Sequence, residues 1–193
     1  MGKIVLGGPQ NVSLDGVVQD PDGQEGFGVG GWFVEFGNTD LEEWNQVALE
    51  EALGAEAWLL GRVSYEFFGT RWRPRTGELA DRLNRLPKYV VSSTLAAPEW
   101  ENTTVLSGDV VQEVSRLKHA LDGEIVVPAS YRLARALIAH DLVDELRLVV
   151  FPVVLGAGAR LFDQSTGNRR LRLIDTRTVG AGLVQLRYEF VRA

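Results

Sequence analysis

Short, nearly continuous apolar runs alternate along this chain with stretches whose apolar positions recur every three or four residues. The runs are Lys3–Leu6, Glu56–Leu60, Lys88–Ser92, Thr103–Leu106 and Ile125–Val127, and their character is that of strands covered on both faces in a parallel sheet. Between them lie helical patterns. Leu41, Trp44, Ala48 and Ala52 share one helical face up to Gly54, and Thr39 with Glu42 predicts a capping box at the start. Gly77–Leu86 predicts a helix closed by Pro87. Asp109 predicts an N-cap for a helix carrying Val110, Val114, Leu117 and Leu121, which Asp122-Gly123 ends. Leu133, Leu137 and Ile138 face inward on a further helix that stops near His140. Glu145–Val154 predicts a long strand, and the alternating segments Arg170–Val179 and Leu183–Val191 about Gly180-Ala181-Gly182 predict a closing hairpin.

Strands alternating with helices and ending in antiparallel strands predict a three-layer αβα fold, in which a mostly parallel central sheet is completed by antiparallel C-terminal strands. At 193 residues, with no linker or internal repeat, the chain reads as a single domain over residues 1–193. Residues 19–31 (QDPDGQEGFGVGG) are rich in Gly and Asp and predict a mobile loop or surface excursion. The net charge of −6 and the dispersed arginines argue against nucleic acid and anionic membrane surfaces as partners. The absence of cysteine excludes disulfides and thiolate metal sites. A short apolar N-terminus and no membrane-length apolar run lead us to expect a cytoplasmic protein.

The segment Glu124–Phe162 brings chemistry into this frame. Strand, tight turn and helix N-terminus in that order present backbone N–H groups to a phosphate. Three strand ends share the pattern: Gly61-Arg62-Val63-Ser64, Ser92-Ser93-Thr94 and Pro128-Ala129-Ser130-Tyr131. Gly61 permits close backbone approach, Arg62 offers a cation, and Ser130 is suited to capping the helix after it. Each has an ordinary reading as a strand-to-helix turn; the case for a nucleotide cofactor is their conjunction. Asp15, beside the long loop, is the most suggestive carboxylate, although an Asp-Gly pair also forms turns. Trp32, Phe33 and Phe36 either line an apolar pocket or pack. His119 and His140 have no partner at catalytic or metal-ligand spacing.

SLDG (residues 13–16), LLGRVSYEFF (59–68), KYVVSSTL (88–95) and, above all, LVDELRLVVFPVVLGAGARLF (142–162) resemble the dihydrofolate-reductase-like superfamily. Within it the chain is most similar to the reductase (C-terminal) domain of the bifunctional riboflavin-biosynthesis deaminase/reductase. The resemblance implies an NADPH-dependent reductase acting on a small pteridine- or aminouracil-like heterocycle, often as a homodimer. It implies cofactor contacts from Gly61, Arg62, Val63, Ser64, Ser92, Ser93 and Thr94, and from Ala129, Ser130 and Tyr131. It also places Asn11, Ser13, Asp15 and Val18 near the reacting centre. On this reading Asn11 and Val18 touch the cofactor, Ser13, Trp32 and Phe36 line the substrate, and Asp15 is the catalytic carboxylate. Where relatives show Gly-Ser-Gly or Gly-Gly, this chain has Pro128-Ala129-Ser130-Tyr131, with the Tyr131 ring near cofactor space; where many show Arg, it has Ser93. Those departures motivate an alternative, a degenerate ligand-binding or dimeric interaction protein on the same fold.

Overall fold

A computed structural model of the protein describes residues 1–192, apart from the side-chain placement of residues 36–38. The strands are β1 (Lys3–Ser13), β2 (Ala55–Gly61), β3 (Lys88–Val91), β4 (Thr103–Leu106), β5 (Glu124–Val127), β6 (Glu145–Phe151), β7 (Leu171–Val179) and β8 (Leu183–Phe190). They form one sheet in the order β4-β3-β2-β5-β1-β6-β8-β7. β1 to β6 run parallel, and β8 is antiparallel to both β6 and β7. The predicted parallel core and antiparallel close are therefore both present. The helices are α1 (Trp32–Gly37), α2 (Leu41–Gly54), α3 (Arg62–Trp72), α4 (Glu78–Arg85), α5 (Val110–Ala120) and α6 (Tyr131–Ala139). Among the described residues, no helix is long and apolar enough to cross a membrane.

Each face of the sheet buries its own core. Ile4, Leu6, Ile125 and Val127 pack against Val114 and Leu117 of α5 and Leu133, Leu137 and Ile138 of α6. On the other face Val5, Trp58, Leu60, Val90 and Val126 meet Ala52 of α2, Tyr65 of α3 and Leu83 of α4. A smaller cluster joins Trp32 of α1 and Val47 of α2 to Val149, Phe151, Val179 and Leu183. The apolar run expected to reach Val154 is an interior strand that stops at Phe151, before Pro152. Interior position accounts for its hydrophobicity, and Pro152, with no N–H to continue the ladder, ends it.

Polar contacts join the layers where apolar packing does not choose a register. Glu145 is fully buried, and its carboxylate accepts from Arg147 Nε (2.6 Å) and Arg187 Nη2 (2.8 Å) and pairs with Lys3. Arg147 also reaches Glu124 at 2.6 Å. Burial by itself would raise the Glu145 pKa, but these cations hold it down to about 2. One carboxylate thus ties together the starts of β1, β5 and β6 and the end of β8.

The start of α2 departs from the predicted capping box. A 3-10 turn (Asn38–Asp40) precedes the helix, and the cap residue is Asp40 with no side-chain cap bond. Its carboxylate turns instead to the distant β7–β8 hairpin, accepting from Ala181 N (2.7 Å) and Gly182 N (2.9 Å). A pair of orphan turn amides outcompetes the helix N–H groups, and no local motif signals it. Asp109, by contrast, caps α5 through Gln112 N at 3.0 Å as expected. Residues 19–31 are built around Asp20 rather than loose: its carboxylate accepts from Glu25 N (2.9 Å) and Phe27 N (3.0 Å), and Asp22 pairs with Arg71 of α3. Replacing Asp40 by Ala should remove the acceptor of two hairpin amides and lower stability by about 0.5–1.5 kcal/mol, read as a shift in the urea midpoint at unchanged slope.

Candidate functional site

The sheet splits at its C-terminal edge. β1 pairs with β5 only from Lys3↔Glu124 to Leu6↔Val127, whereas its pairing with β6 runs on to Ser13↔Phe151 after an irregularity between Leu6 and Gln10. Gly7 and Gly8 make that irregularity. A side chain at Gly7 would strike the Glu51 carboxylate at 2.7 Å, and one at Gly8, where φ is +91°, would meet Pro128 at 3.0 Å. Glu51, buried on α2, accepts from Gly8 N (2.6 Å) and Gln185 Nε2 (2.9 Å) and so holds the bend in place. Burial pushes its pKa up. Where a parallel sheet opens between adjacent strand ends, backbone groups are available to a ligand.

Two of the three expected strand-end turns are stitched together here. Gly61 N donates to Ser130 Oγ at 3.1 Å, and Ser130 N donates to Ser64 Oγ at 3.1 Å. The Ser64 and Ser130 hydroxyls therefore bind the β2–α3 turn to the β5–α6 turn, and the expected Ser130 cap bond to its own helix is absent. Ala129 (φ 50°) and Ser130 (φ 36°) both lie in the left-handed region, which side chains other than glycine's resist. Glycine would fit this backbone without strain; this chain keeps the conformation with Ala and Ser and bears its cost. Neither α3 nor α6 has an acidic residue in its first turn or a side-chain cap, so both N-termini retain their positive potential. α2 and α4 carry acidic first turns and α5 an Asp cap.

Around this pair of turns the remaining expected residues divide. Val63 is exposed, and Arg62 is half-exposed and pairs with Glu66 one turn on at 3.2 Å. Ser93 and Thr94 stand exposed at the end of β3, while Ser92 is taken up by its own turn, accepting from Thr94 N (3.2 Å) and Leu95 N (3.0 Å). The Tyr131 ring does not plug the turn: it packs on the core beside α6, with the Arg135 guanidinium 5.2 Å from its centroid.

Other expected residues are engaged within the fold. The Val18 side chain is buried in the core shared with α5 and α6, and its N–H is bonded to Ala159 O. Ser13 spends its hydroxyl internally, donating to Asp15 Oδ1 (2.7 Å) and accepting from Val17 N (2.9 Å). Trp32 is 1% exposed, set edge-on to Phe151 at 5.3 Å, with Nε1 bonded to Gln19 O. It is core, not pocket. Phe36 lies outside the described residues. Asp15 accepts from Ser13 Oγ, Leu155 N (3.1 Å) and Gly156 N (2.9 Å), and Arg160 stands 3.6 Å away. The Ser13 and Leu155 bonds chiefly hold its pKa down to about 2. This carboxylate clamps the 153–160 segment onto the end of β1. His119 and His140 each bond the carbonyl four residues earlier on their own helices.

Asn11 faces the α2 side, where its Oδ1 accepts from Trp44 Nε1 at 2.9 Å. Trp44 belongs to an aromatic cavity of about 40 Å³ that includes Gly8, Trp58, Phe68 and Trp72. Gly8 is thus shared: one side lines this cavity, and the other abuts Pro128, which opens the β5–α6 turn. Sequence reading does not find this cavity, because nothing in EAWLL or YEFF distinguishes a cavity wall from a filled core.

Comparison with known proteins accords with this geometry. The model of the RibD C-terminal domain matches residues 10–185. The chain belongs to the RibD C-terminal domain family. YyaP of Bacillus subtilis (strain 168) is 30% identical over 189 residues, covering 93% of this chain and 91% of its own length. YwjB of the same organism is 28% identical over 182 residues, covering 92% of each chain. A putative riboflavin biosynthesis protein from Shewanella sp. PV-4 superposes with a TM-score of 0.75 at 22% identity over 100% of both chains. Dihydrofolate reductase from Enterococcus faecalis, complexed with NADP(H), superposes with a TM-score of 0.59 at 14% identity, covering 98% of this chain and 96% of its own. The fold is the dihydrofolate-reductase-like one.

Two outcomes test the site's construction. Asp15 has a depressed folded-state pKa, so its contribution to stability is full above about pH 4 and lost as pH falls toward 2. Asp15→Asn should flatten that part of a urea-midpoint series between pH 2 and 5. Ala129→Gly should stabilise the protein by about 1 kcal/mol through relief of the left-handed strain, seen as a raised Tm.

Proposed function

We propose that the protein is an NADPH-dependent reductase of a small heterocycle. The observation that carries this reading is the pair of helix N-termini, α3 and α6, uncapped by side chains, free of first-turn acids and stitched together through Ser64 and Ser130. Two such ends side by side suit the two negative charges of a diphosphate. The strained turn at Ala129-Ser130 supports it, because it carries the start of α6 up to the start of α3, where Ser130 N bonds Ser64 Oγ. Family membership supports it independently.

The residues present fit the cofactor. The helix-start N–H groups of Arg62–Ser64 and Tyr131 would take the diphosphate, with Gly61, Ala129 and Ser130 holding the two turns together, and Arg62 with exposed Ser93 and Thr94 would take the adenosine 2′-phosphate. The Arg62–Glu66 pair is solvent-exposed and worth little, so the guanidinium is free to turn to a phosphate. When bound, NADPH supplies a hydride to an electrophilic ring carbon, NADP⁺ remains, and a proton reaches the ring nitrogen from water. Asp15 serves this reaction by positioning: it holds Leu155 and Gly156 against the end of β1. The reading includes a homodimer, formed over the apolar side chains that β7 and β8 leave exposed, Leu173, Ile174 and Val184.

Titration with NADPH, followed by quenching of tryptophan fluorescence, should saturate in the micromolar range and prefer NADPH over NADH. Arg62→Ala should weaken NADPH binding by about tenfold, the equivalent of about 1.4 kcal/mol for a charge-assisted contact, and leave NADH unchanged. No binding at millimolar NADPH removes the reductase reading and leaves the degenerate binding protein in its place.

A further inference from the structure

The chain has three lysines, and two of them are paired with acids, Lys3 with Glu145 and Lys118 with Asp144. Lys88, at the start of β3, is 1% exposed and has no carboxylate partner among the described residues. Main-chain carbonyls hold its ammonium instead. Nζ donates to Asn84 O and Leu86 O at the C-terminus of α4, both at 2.8 Å, and to Glu101 O at 3.1 Å. The Trp100 ring closes the cage, with Nζ 4.4 Å from its centroid. Three N–H donors thus meet three acceptors and an aromatic face, which is the full complement of an ammonium. A neutral amine has two donors and a lone pair, and a lone pair turned to a carbonyl oxygen is repelled.

The third carbonyl belongs to the turn 99–102, which precedes β4 and carries Trp100. Trp100 is 3% exposed and spends its polar groups on two helices: its N–H donates to Tyr65 Oη of α3 at 2.9 Å, and its Nε1 to Asn84 Oδ1 of α4 at 2.8 Å. α3 meets the ring again at Gly69, where a Cβ would stand 3.5 Å from it. Lys88 therefore fastens a turn on which α3 is seated. The charged groups around it do not neutralise it. Glu101 is exposed and acts only at a distance, and Glu99 is exposed and paired with Arg73 at 2.9 Å. On α4, Arg85 is exposed and Arg82 turns to Ala52 O and Ala55 O. Tyr65 is the titratable group from α3, while β2 and β4 set Trp58 and Thr103 beside Lys88, neither of which titrates. Burial pushes the Lys88 pKa down to about 8, with Glu101 opposing the shift.

We propose that Lys88 is a proton-operated latch: as an ammonium it fastens the 99–102 turn, and as a neutral amine it lets the turn go. The carbonyl given up is Glu101 O, the longest of the three contacts and the one on an exposed residue that water can serve. Asn84 O and Leu86 O keep the two remaining donors, so α4 stays capped while Trp100 loses its cation and loosens against α3. The latch acts on the seat of α3 whatever that helix binds at its N-terminus. Global stability moves the other way. The folded-state pKa of about 8 lies below the ordinary lysine value of 10.5, so the unfolded chain binds more protons between the two, and stability rises with pH across that window. Proton release removes the cost of a buried charge, and the loosening it brings is local.

The test uses the intact chain, labelled with ¹³C at lysine Cε, which gives three lysine signals in all. The residue-88 signal should titrate with a midpoint at about pH 8, and the Trp100 indole ¹H–¹⁵N signal should move with the same midpoint. Lys88→Met keeps the length of the side chain without the charge. It should leave the Trp100 signal in place over that range and abolish the rise in urea midpoint between about pH 8 and 10. A residue-88 signal that titrates only at the ordinary lysine value overturns the proposal. So does a titration at about pH 8 to which Trp100 does not respond, or a Trp100 response that survives in Lys88→Met. Should Lys88→Met fail to fold, Lys3→Arg and Lys118→Arg assign the residue-88 signal by difference, and the Lys88 and Trp100 midpoints of the unaltered chain, which have to coincide, decide the outcome.

Discussion

Everything at the C-terminal edge depends on β1 leaving β5 after four paired residues. A straight β1 would continue beside β5 and close the sheet where the paired helix N-termini and the aromatic cavity now meet. The bend needs three things at once. Gly7 makes room for a carboxylate, Gly8 adopts a positive φ against Pro128, and the buried Glu51 receives the amide that the bend releases. A larger residue at Gly7 would bring a Cβ to 2.7 Å from the Glu51 carboxylate, and one at Gly8 would stand 3.0 Å from Pro128 at a positive φ. The strain is local and the consequence is general: cradle and cavity lie on opposite sides of one glycine.

Hydroxyl groups behave differently in this structure from their usual role at strand ends. Ser13, Ser64, Ser92 and Ser130 all sit where a ligand might be met, and all four are used to build turns or to tie one turn to another. Serine is short, and at a crowded sheet edge the nearest partner is a backbone amide of the next turn. What is left for a ligand is the helix N-termini themselves, with Arg62 and the exposed Ser93 and Thr94 at the rim. Side chains shape the cradle and the main chain is the part that receives.

The same economy governs the carboxylates. Asp15, Asp20, Asp40 and Glu51 each accept from backbone amides of a loop, turn or bend, at the 153–160 segment, the 19–31 loop, the β7–β8 hairpin and the β1 bend. With ten glycines at positive φ among the described residues, the chain carries many amides that no ladder can pair. Acidic side chains satisfy them, which is why so few acids remain free for proton transfer at the site.

The strands and most helices were legible in the residue order, because apolar runs and three-to-four spacing report burial of a face whatever lies opposite. The family was legible too, from LVDELRLVVFPVVLGAGARLF and its companions. Of the site, Gly61–Ser64 and Ala129–Tyr131 could be read as turns that meet, since strand-turn-helix order dictates where their amides point. Partnerships across the fold could not. That Asp40 serves Ala181 and Gly182 rather than its own helix, that Trp32 packs while Trp58 lines a cavity, and that Asp15 is a clamp rather than an acid are decided by which groups are brought within 3 Å from more than a hundred residues away, or by whether a neighbour fills a gap. Local sequence carries the propensity of each residue to be buried or bonded; the identity of the partner is a property of the closed sheet alone.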